Sequence, residues 1–201
     1  MTISIAARCA RTGAFGVAIS SSSPAVGARC PNVRAGVGAV SSQNVTDPRL
    51  GPALLDALAS GLDAQTALDK ISATATHPEF RQLTVVDKNG NSSVYSGAKS
   101  LGINAEVTDV DVAAAGNLLA NDNVIQVMVN EFKSSPDKEL ANRLISCLEA
   151  GVRAGGEAGP VHSAAVIVAT NVQWPSTNLR VDWDDDPIGT LRGLQSASAP
   201  Q

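Results

Sequence analysis

Two apolar runs, 2–8 and 14–20, open the chain, and the five residues between them, Cys9-Ala10-Arg11-Thr12-Gly13, have the polar and glycine character of a turn. Runs of this length around so short a break read as a β-hairpin. Ser21-Ser22-Ser23-Pro24 then interrupts the pattern. A third strand of small residues is expected at 36–42, reached by a loop that carries Arg29, Cys30 and Arg34.

From Pro52 the period changes. Leu54, Leu55 and Leu58 recur at helical spacing, and Gly61 stands where a helix terminator belongs. Asp63 is suited to cap a second helix with Ala67, Leu68 and Ile71 on its buried side. Strands return at 82–86 and 93–95 around the turn signal Asn89-Gly90. Residues 105–115 alternate as one further strand that ends at Gly116-Asn117. Two helices follow, the first carrying Ile125, Met128, Val129 and Phe132. The second starts near Pro136, carries Leu140, Leu144, Ile145 and Leu148, and stops before Gly151 and the Gly155-Gly156 break. Strands at 164–169 and 179–183 and a short helix at 187–194 close a single domain, 1–194, leaving 195–201 as a flexible tail. Strands, helices, strands, helices and strands in that order favour an α+β class with layered sheets between helices over a βαβ alternation.

Composition removes several functions. A net charge of −4 supplies no cationic field for a phosphate backbone, and 3% aromatic residues serve base stacking poorly, so no nucleic-acid partner is expected. No stretch approaches about 18 apolar residues, and Arg8 interrupts the first run, so neither a membrane span nor a signal peptide is expected. The three widely spaced cysteines, Cys9, Cys30 and Cys147, suit reduced thiols in the cytoplasm. Cys30 would be a nucleophile only if Arg29 lowered its pKa. Two histidines and scattered cysteines are too few for zinc, and the carboxylates of 182–186 read as a solvated turn before a cation cage. A P-loop, GxGxxG and GxSxG are all missing, so the expectation is no cofactor and no metal.

Thr2 is left as the residue with chemistry of its own. With Met1 removed, its hydroxyl can attack a carbonyl while its α-amine, with a reference pKa of about 7.7 to 8.0, accepts the hydroxyl proton. The competing role is that of a β-forming residue that merely opens a strand.

Several blocks carry a resemblance: Thr2-Ile-Ser-Ile-Ala, Gly16-Val-Ala-Ile-Ser, Ala35-Gly-Val-Gly-Ala-Val, Gln43-Asn-Val-Thr-Asp-Pro, Gly116-Asn117-Leu-Leu-Ala, His162-Ser-Ala-Ala and Leu179-Arg-Val-Asp-Trp. In that order they resemble a bacterial domain-of-unknown-function family whose fold is similar to the N-terminal nucleophile (Ntn) hydrolases, the proteasome-subunit superfamily. The resemblance implies a four-layer αββα sandwich, with two packed antiparallel sheets flanked by helices, and the nucleophile at the start of the first strand. It also implies a homo-oligomer, a dimer or larger.

On that resemblance the catalytic candidates are Thr2, Ser21 and Asn117. Ser21 would set a hydroxyl beside the nucleophile, and Asn117 would donate an amide N–H to a developing oxyanion. Many family members carry a lysine at the Ser22 position, which this chain lacks. Gln43 and Asn44 would line the same cleft, Arg29 and Arg34 would take a substrate carboxylate, and His162 would carry a proton. Each has a plainer alternative as a turn, solvated or structural residue. The expected function is an amidohydrolase cutting a C–N bond in a small polar linear or cyclic amide or ureide. The runner-up is a non-catalytic small-molecule-binding or scaffold protein on the same fold.

Overall fold

The computed structural model describes residues 1–198. The opening hairpin forms as β1 (Thr2–Arg8) and β2 (Phe15–Ser21), with all seven residues of each strand in register. β3 (Pro31–Arg34) and β4 (Gly38–Asn44) follow, then α1 (Leu50–Ala59) and α2 (Ala64–Thr74). β5 (Arg81–Asp87), β6 (Ser92–Ser96), β7 (Ala105–Asp109) and β8 (Val112–Asn117) come next. α3 (Val124–Ser134), α4 (Leu140–Arg153), β9 (Ser163–Ala169), β10 (Thr177–Val181) and α5 (Pro187–Ser198) complete the chain. They make two antiparallel sheets and five helices, an α+β fold. The six-stranded sheet runs β10-β9-β2-β1-β8-β7 and the four-stranded sheet β3-β4-β5-β6.

Alternation along β1 decides what packs where, because successive side chains point to opposite faces. Ile3 and Ile5 join Met128, Phe132, Leu144 and Leu148 of α3 and α4 in the largest apolar cluster, which also takes in Leu191 of α5. Ala6 faces the other way and packs with Val17, Ala113, Ala39 and Val86, a cluster that joins the two sheets. The outer face of the small sheet buries Val40, Leu83 and Val85 under Leu54, Leu58 and Leu68 of α1 and α2. Small residues let the layers approach closely: a Cβ on Gly16 would lie 2.5 Å from Leu144.

Five expectations are corrected. Residues 105–115 are not one strand but a hairpin, β7 and β8, reversed at Val110-Asp111. Asp111 takes a left-handed φ of 67°, and its carboxylate pairs with Arg8 at 2.8 Å. The even alternation continues through the turn, so period alone conceals it. The loop between the second and third strands contains an edge strand, β3, whose Pro31 and exposed flanks argue against a strand in sequence. The third expected strand sits two residues later than 36–42, and the strand expected at 179–183 sits two residues earlier. The tail does not begin at Gln195: α5 runs to Ser198 and Gln195 is buried, while 199–201 lie outside the described residues. Asp63 does cap α2, accepting the Thr66 N–H at 2.8 Å.

Leu144 tests the larger core because it is fully buried between α4 and β2. Leu144→Ala is expected to lower stability by about 2–5 kcal/mol in denaturant unfolding with an unchanged m-value.

Candidate active site

β1 is paired on both sides, so its first residue has two fixed neighbours. Thr2 lies opposite Ser21 of β2 and opposite Asn117 of β8. Directly paired residues in antiparallel strands share a face. The three side chains therefore point together toward the small sheet, at the end away from the Ala6 and Val17 cluster. All three are buried, with Thr2 6% exposed.

Thr2 Oγ1 donates to the Met1 carbonyl at 2.6 Å and stands 3.2 Å from Ser21 Oγ. Ser21 Oγ also reaches the Met1 carbonyl, at 2.5 Å, and lies 2.9 Å from Ser23 Oγ. Arg29 continues the chain of contacts, donating to Ser23 Oγ at 2.6 Å and to the Pro24 carbonyl at 2.5 Å. Its guanidinium is thus spent on organising the serine turn. The hydroxyls of Thr2, Ser21 and Ser23 form one hydrogen-bonded row, anchored at one end by the Met1 carbonyl and at the other by Arg29.

Beneath Thr2 lies a buried amide network. Asn117 Nδ2 donates to Gln82 Oε1 at 3.1 Å, and Gln43 Nε2 donates to the same oxygen at 2.9 Å. Gln43 also donates to the Ala115 carbonyl, and Gln82 Nε2 to the Gly116 carbonyl, both at 3.1 Å. Buried amides are tolerated between sheets only when paired in this way. Gln43 therefore supports Asn117 from below and lines no open cleft. Asn117 is followed by Leu118 at a left-handed φ of 51°, which costs a β-bearing residue about 1–2 kcal/mol and turns the chain sharply away from the sheet.

The remaining expected site residues are placed elsewhere. Asn44, at a φ of 71°, donates to the Phe80 carbonyl at 2.6 Å and accepts from the Leu101 N–H at 3.3 Å, so it holds two loops together. Arg34 pairs with Asp56 of α1 at 2.8 Å, five residues back along β4 from Gln43 in register, or roughly 16 Å at strand rise. His162 comes close through its backbone, which donates to the Ser21 carbonyl at 2.9 Å. Its ring stacks on Trp183 with centroids 4.3 Å apart, and Nδ1 lies 3.3 Å from the Asp184 carbonyl. Cys30 is buried, and burial pushes its thiol up, against the nucleophile reading. In the acidic turn, Asp186 caps α5 through the Gly189 N–H at 3.1 Å and Asp184 accepts from Thr190, which explains two of its carboxylates without a cation.

Glu157 was not legible in the sequence. It follows the Gly155-Gly156 break, pairs by an isolated bridge with Leu119, and is only 6% exposed. One carboxyl oxygen accepts the Ser22 N–H at 3.2 Å, and the other has no hydrogen-bond partner among the described residues. Burial pushes this carboxyl up to about 8, although the positive charge of the amino terminus and the Ser22 N–H draw it down. A charged residue between glycines and Gly159-Pro160 looks like solvated loop, and only its tertiary position reveals it. Glu157 borders a cleft of about 500 Å³ that opens toward Asp185, Asp186 and the start of α5. Met1 packs its side chain against Gly159 on the same wall.

An α+β protein that turns a buried hydroxyl row toward its own amino terminus is what fold and site together define. The family of unknown function DUF1028 matches residues 2–191, and the chain belongs to that family. A crystal structure of a DUF1028 protein from Silicibacter pomeroyi is similar at 30% identity and a TM-score of 0.91, covering 100% of this chain and 90% of that one. Looser likeness extends to an Anbu (Gly-1) mutant from Hyphomicrobium sp. strain MC1 at 10% identity, a TM-score of 0.48, and 98% and 94% coverage. Anbu (ancestral beta-subunit) from Yersinia bercovieri follows at 13% identity, a TM-score of 0.40, and 99% and 98% coverage. No curated protein matches the chain.

Glu157 makes stability depend on pH. An unfolded glutamate titrates near 4.3, and the folded one holds its proton to about pH 8. The folded state therefore binds the extra proton between these values, so stability falls as pH rises through that window. In the chain that retains Met1, the denaturation midpoint is expected to drop between about pH 5 and 8, by the equivalent of a few kcal/mol, and Glu157→Gln to flatten that slope.

Proposed function

We propose that the protein is an amidohydrolase of the Ntn type, built as an αββα sandwich, in which Thr2 is the nucleophile once Met1 is removed. The observation that carries this is the position of Thr2 Oγ1, buried at the head of β1, 3.2 Å from Ser21 Oγ and in direct contact with the Met1 carbonyl. Removing Met1 deletes the acceptor that both hydroxyls now share. It leaves a free α-amine on the same residue as the nucleophile, one residue along the chain from the amino terminus whose charge acts on Glu157.

In the proposed reaction Thr2 Oγ1 attacks the amide carbon of a small polar linear or cyclic amide or ureide, and the α-amine takes the hydroxyl proton. Asn117 stabilises the resulting oxyanion, since its amide nitrogen carries two hydrogens and Gln82 accepts only one. Collapse breaks the C–N bond, and the α-ammonium returns its proton to the leaving nitrogen. Water, with the α-amine again acting as base, then hydrolyses the acyl ester on Thr2. Ser21 orients the nucleophile, and Glu157 supports the ammonium that forms in each half-reaction. No metal or cofactor enters any step. The substrate is a small molecule, and the working unit is a homo-oligomer, to be checked by light scattering; the mass of a single chain at micromolar concentration overturns the latter.

The test is the intact mass of natively produced protein, combined with an amide and ureide hydrolysis screen. Met1 is expected to be absent, Thr2→Ala to abolish turnover with the fold intact, and Thr2→Ser to retain part of it. Asn117→Ala is expected to lower kcat by about 10² or more with little change in KM. Retained Met1, with turnover equal in wild type and Thr2→Ala, removes the mechanism and favours a binding protein.

A further inference from the structure

We propose that the far end of the six-stranded sheet carries a second site, one that binds a small oxyanion between Arg143 and Arg11. β1 separates the two places: Arg8 stands on the wall of this second cavity, six residues and roughly 20 Å of strand from Thr2. The cavity is about 300 Å³ and is lined by Arg8, Arg11, Lys133 and Arg143, against the wall carboxylates Asp111 and Asp137. In a chain of net charge −4, four cations around one cavity stand out.

Two of the four are already neutralised. Arg8 pairs with Asp111 at 2.8 Å, and Lys133 pairs with Asp109. Arg11 reaches only the Asp137 carbonyl, at 3.4 Å, and makes no ion pair among the described residues. Arg143 is the telling group. It is 5% exposed, yet among the described residues no carboxylate pairs with it. One guanidinium nitrogen donates to the Phe132 carbonyl at 2.8 Å, Cζ lies 3.8 Å from the Phe132 ring centroid, and Nε has no hydrogen-bond partner among the described residues. A buried guanidinium with a missing partner is a costly arrangement that a bound anion relieves. A planar guanidinium whose Nε is free suits the geometry of a carboxylate or phosphate.

Cys9 lies in the adjoining cavity, where burial works against a thiolate but hydrogen bonds from Thr12 above all, then from Arg11, and the charge of Arg143 hold the thiol below its ordinary value. Arg11 lines both this cavity and the adjoining one at Cys9 and Thr12, so it is positioned to close over the ligand.

The test uses the full chain and two probes, inorganic phosphate and malonate, each at fixed ionic strength with chloride as the balancing anion. A saturable rise in Tm with at least one probe is expected, absent with chloride alone. Half-saturation should weaken about fivefold or more in Arg11→Gln, an exposed position that leaves the core untouched, and in Arg143→Lys, which keeps the charge but loses the fork. The probe that binds more tightly assigns the site to phosphate or to carboxylate ligands, and Thr2→Ala should bind both as wild type does. Tm shifts no larger than those of chloride, or identical shifts in wild type and Arg11→Gln, overturn the proposal. Should Arg143→Lys fail to fold, the Arg11→Gln comparison decides alone.

Discussion

β1 is hydrogen-bonded along both edges, to β2 over seven residues and to β8 over six, and this double pairing holds Thr2, Ser21 and Asn117 in one row. A strand in the middle of a sheet cannot slip by one residue without turning its whole buried set to the wrong face. Ile3 and Ile5 are locked under α3 and α4 and Ala6 against the small sheet, so the register is fixed by two cores at once. The position of Thr2 relative to its neighbours is therefore a consequence of apolar packing several residues away.

The layer between the sheets changes character along its length. At the Ala6 end it is apolar, with Val17, Ala39, Val86 and Ala113 in contact. Toward Thr2 it is filled by Gln43, Gln82, Asn117, Ser41, Thr84 and Ser4, all buried. Most of these amide groups answer one another, whereas Ser4 Oγ and Thr84 Oγ1 have no hydrogen-bond partner among the described residues. Apolar residues in these places would pack more cheaply. The amides that do pair, Gln43, Gln82 and Asn117, form a polar floor under the hydroxyl row.

Elements whose apolar period differs from that of their neighbours were legible in the sequence. The opening hairpin, the two helices after Pro52, the pair around Phe132 and Leu144, and the strand at 164–169 all follow from spacing. β3 was not, because an edge strand of four half-buried residues beginning with proline has no pattern to read. The turn at Val110-Asp111 was hidden by alternation that runs unbroken across it. At the site, Thr2, Ser21 and Asn117 were readable as strand ends, and the structure brings them together. Gln43 was read as cleft lining, and it is a buried support. Asn44 and Arg34 hold loops and a helix in place instead. Glu157 and Gln82 gave no local signal, because Glu157 is set apart by burial beside Ser22, 135 positions away, and Gln82 by its bonds to Asn117 and Gly116 in the opposite sheet.

The amino terminus joins these observations. While Met1 is present, its carbonyl accepts hydrogen bonds from Thr2 and Ser21, and its side chain packs on Gly159 at the wall that Glu157 shares. A carbonyl in that place satisfies two hydroxyl donors but leaves one oxygen of a buried carboxyl unanswered. On the proposed loss of Met1 the shared acceptor would go, and the charged amine, with its three donors, would move from Met1 to Thr2. In the chain with Met1 the cost of burying Glu157 is already partly offset by the charge of the amino terminus and by the Ser22 N–H.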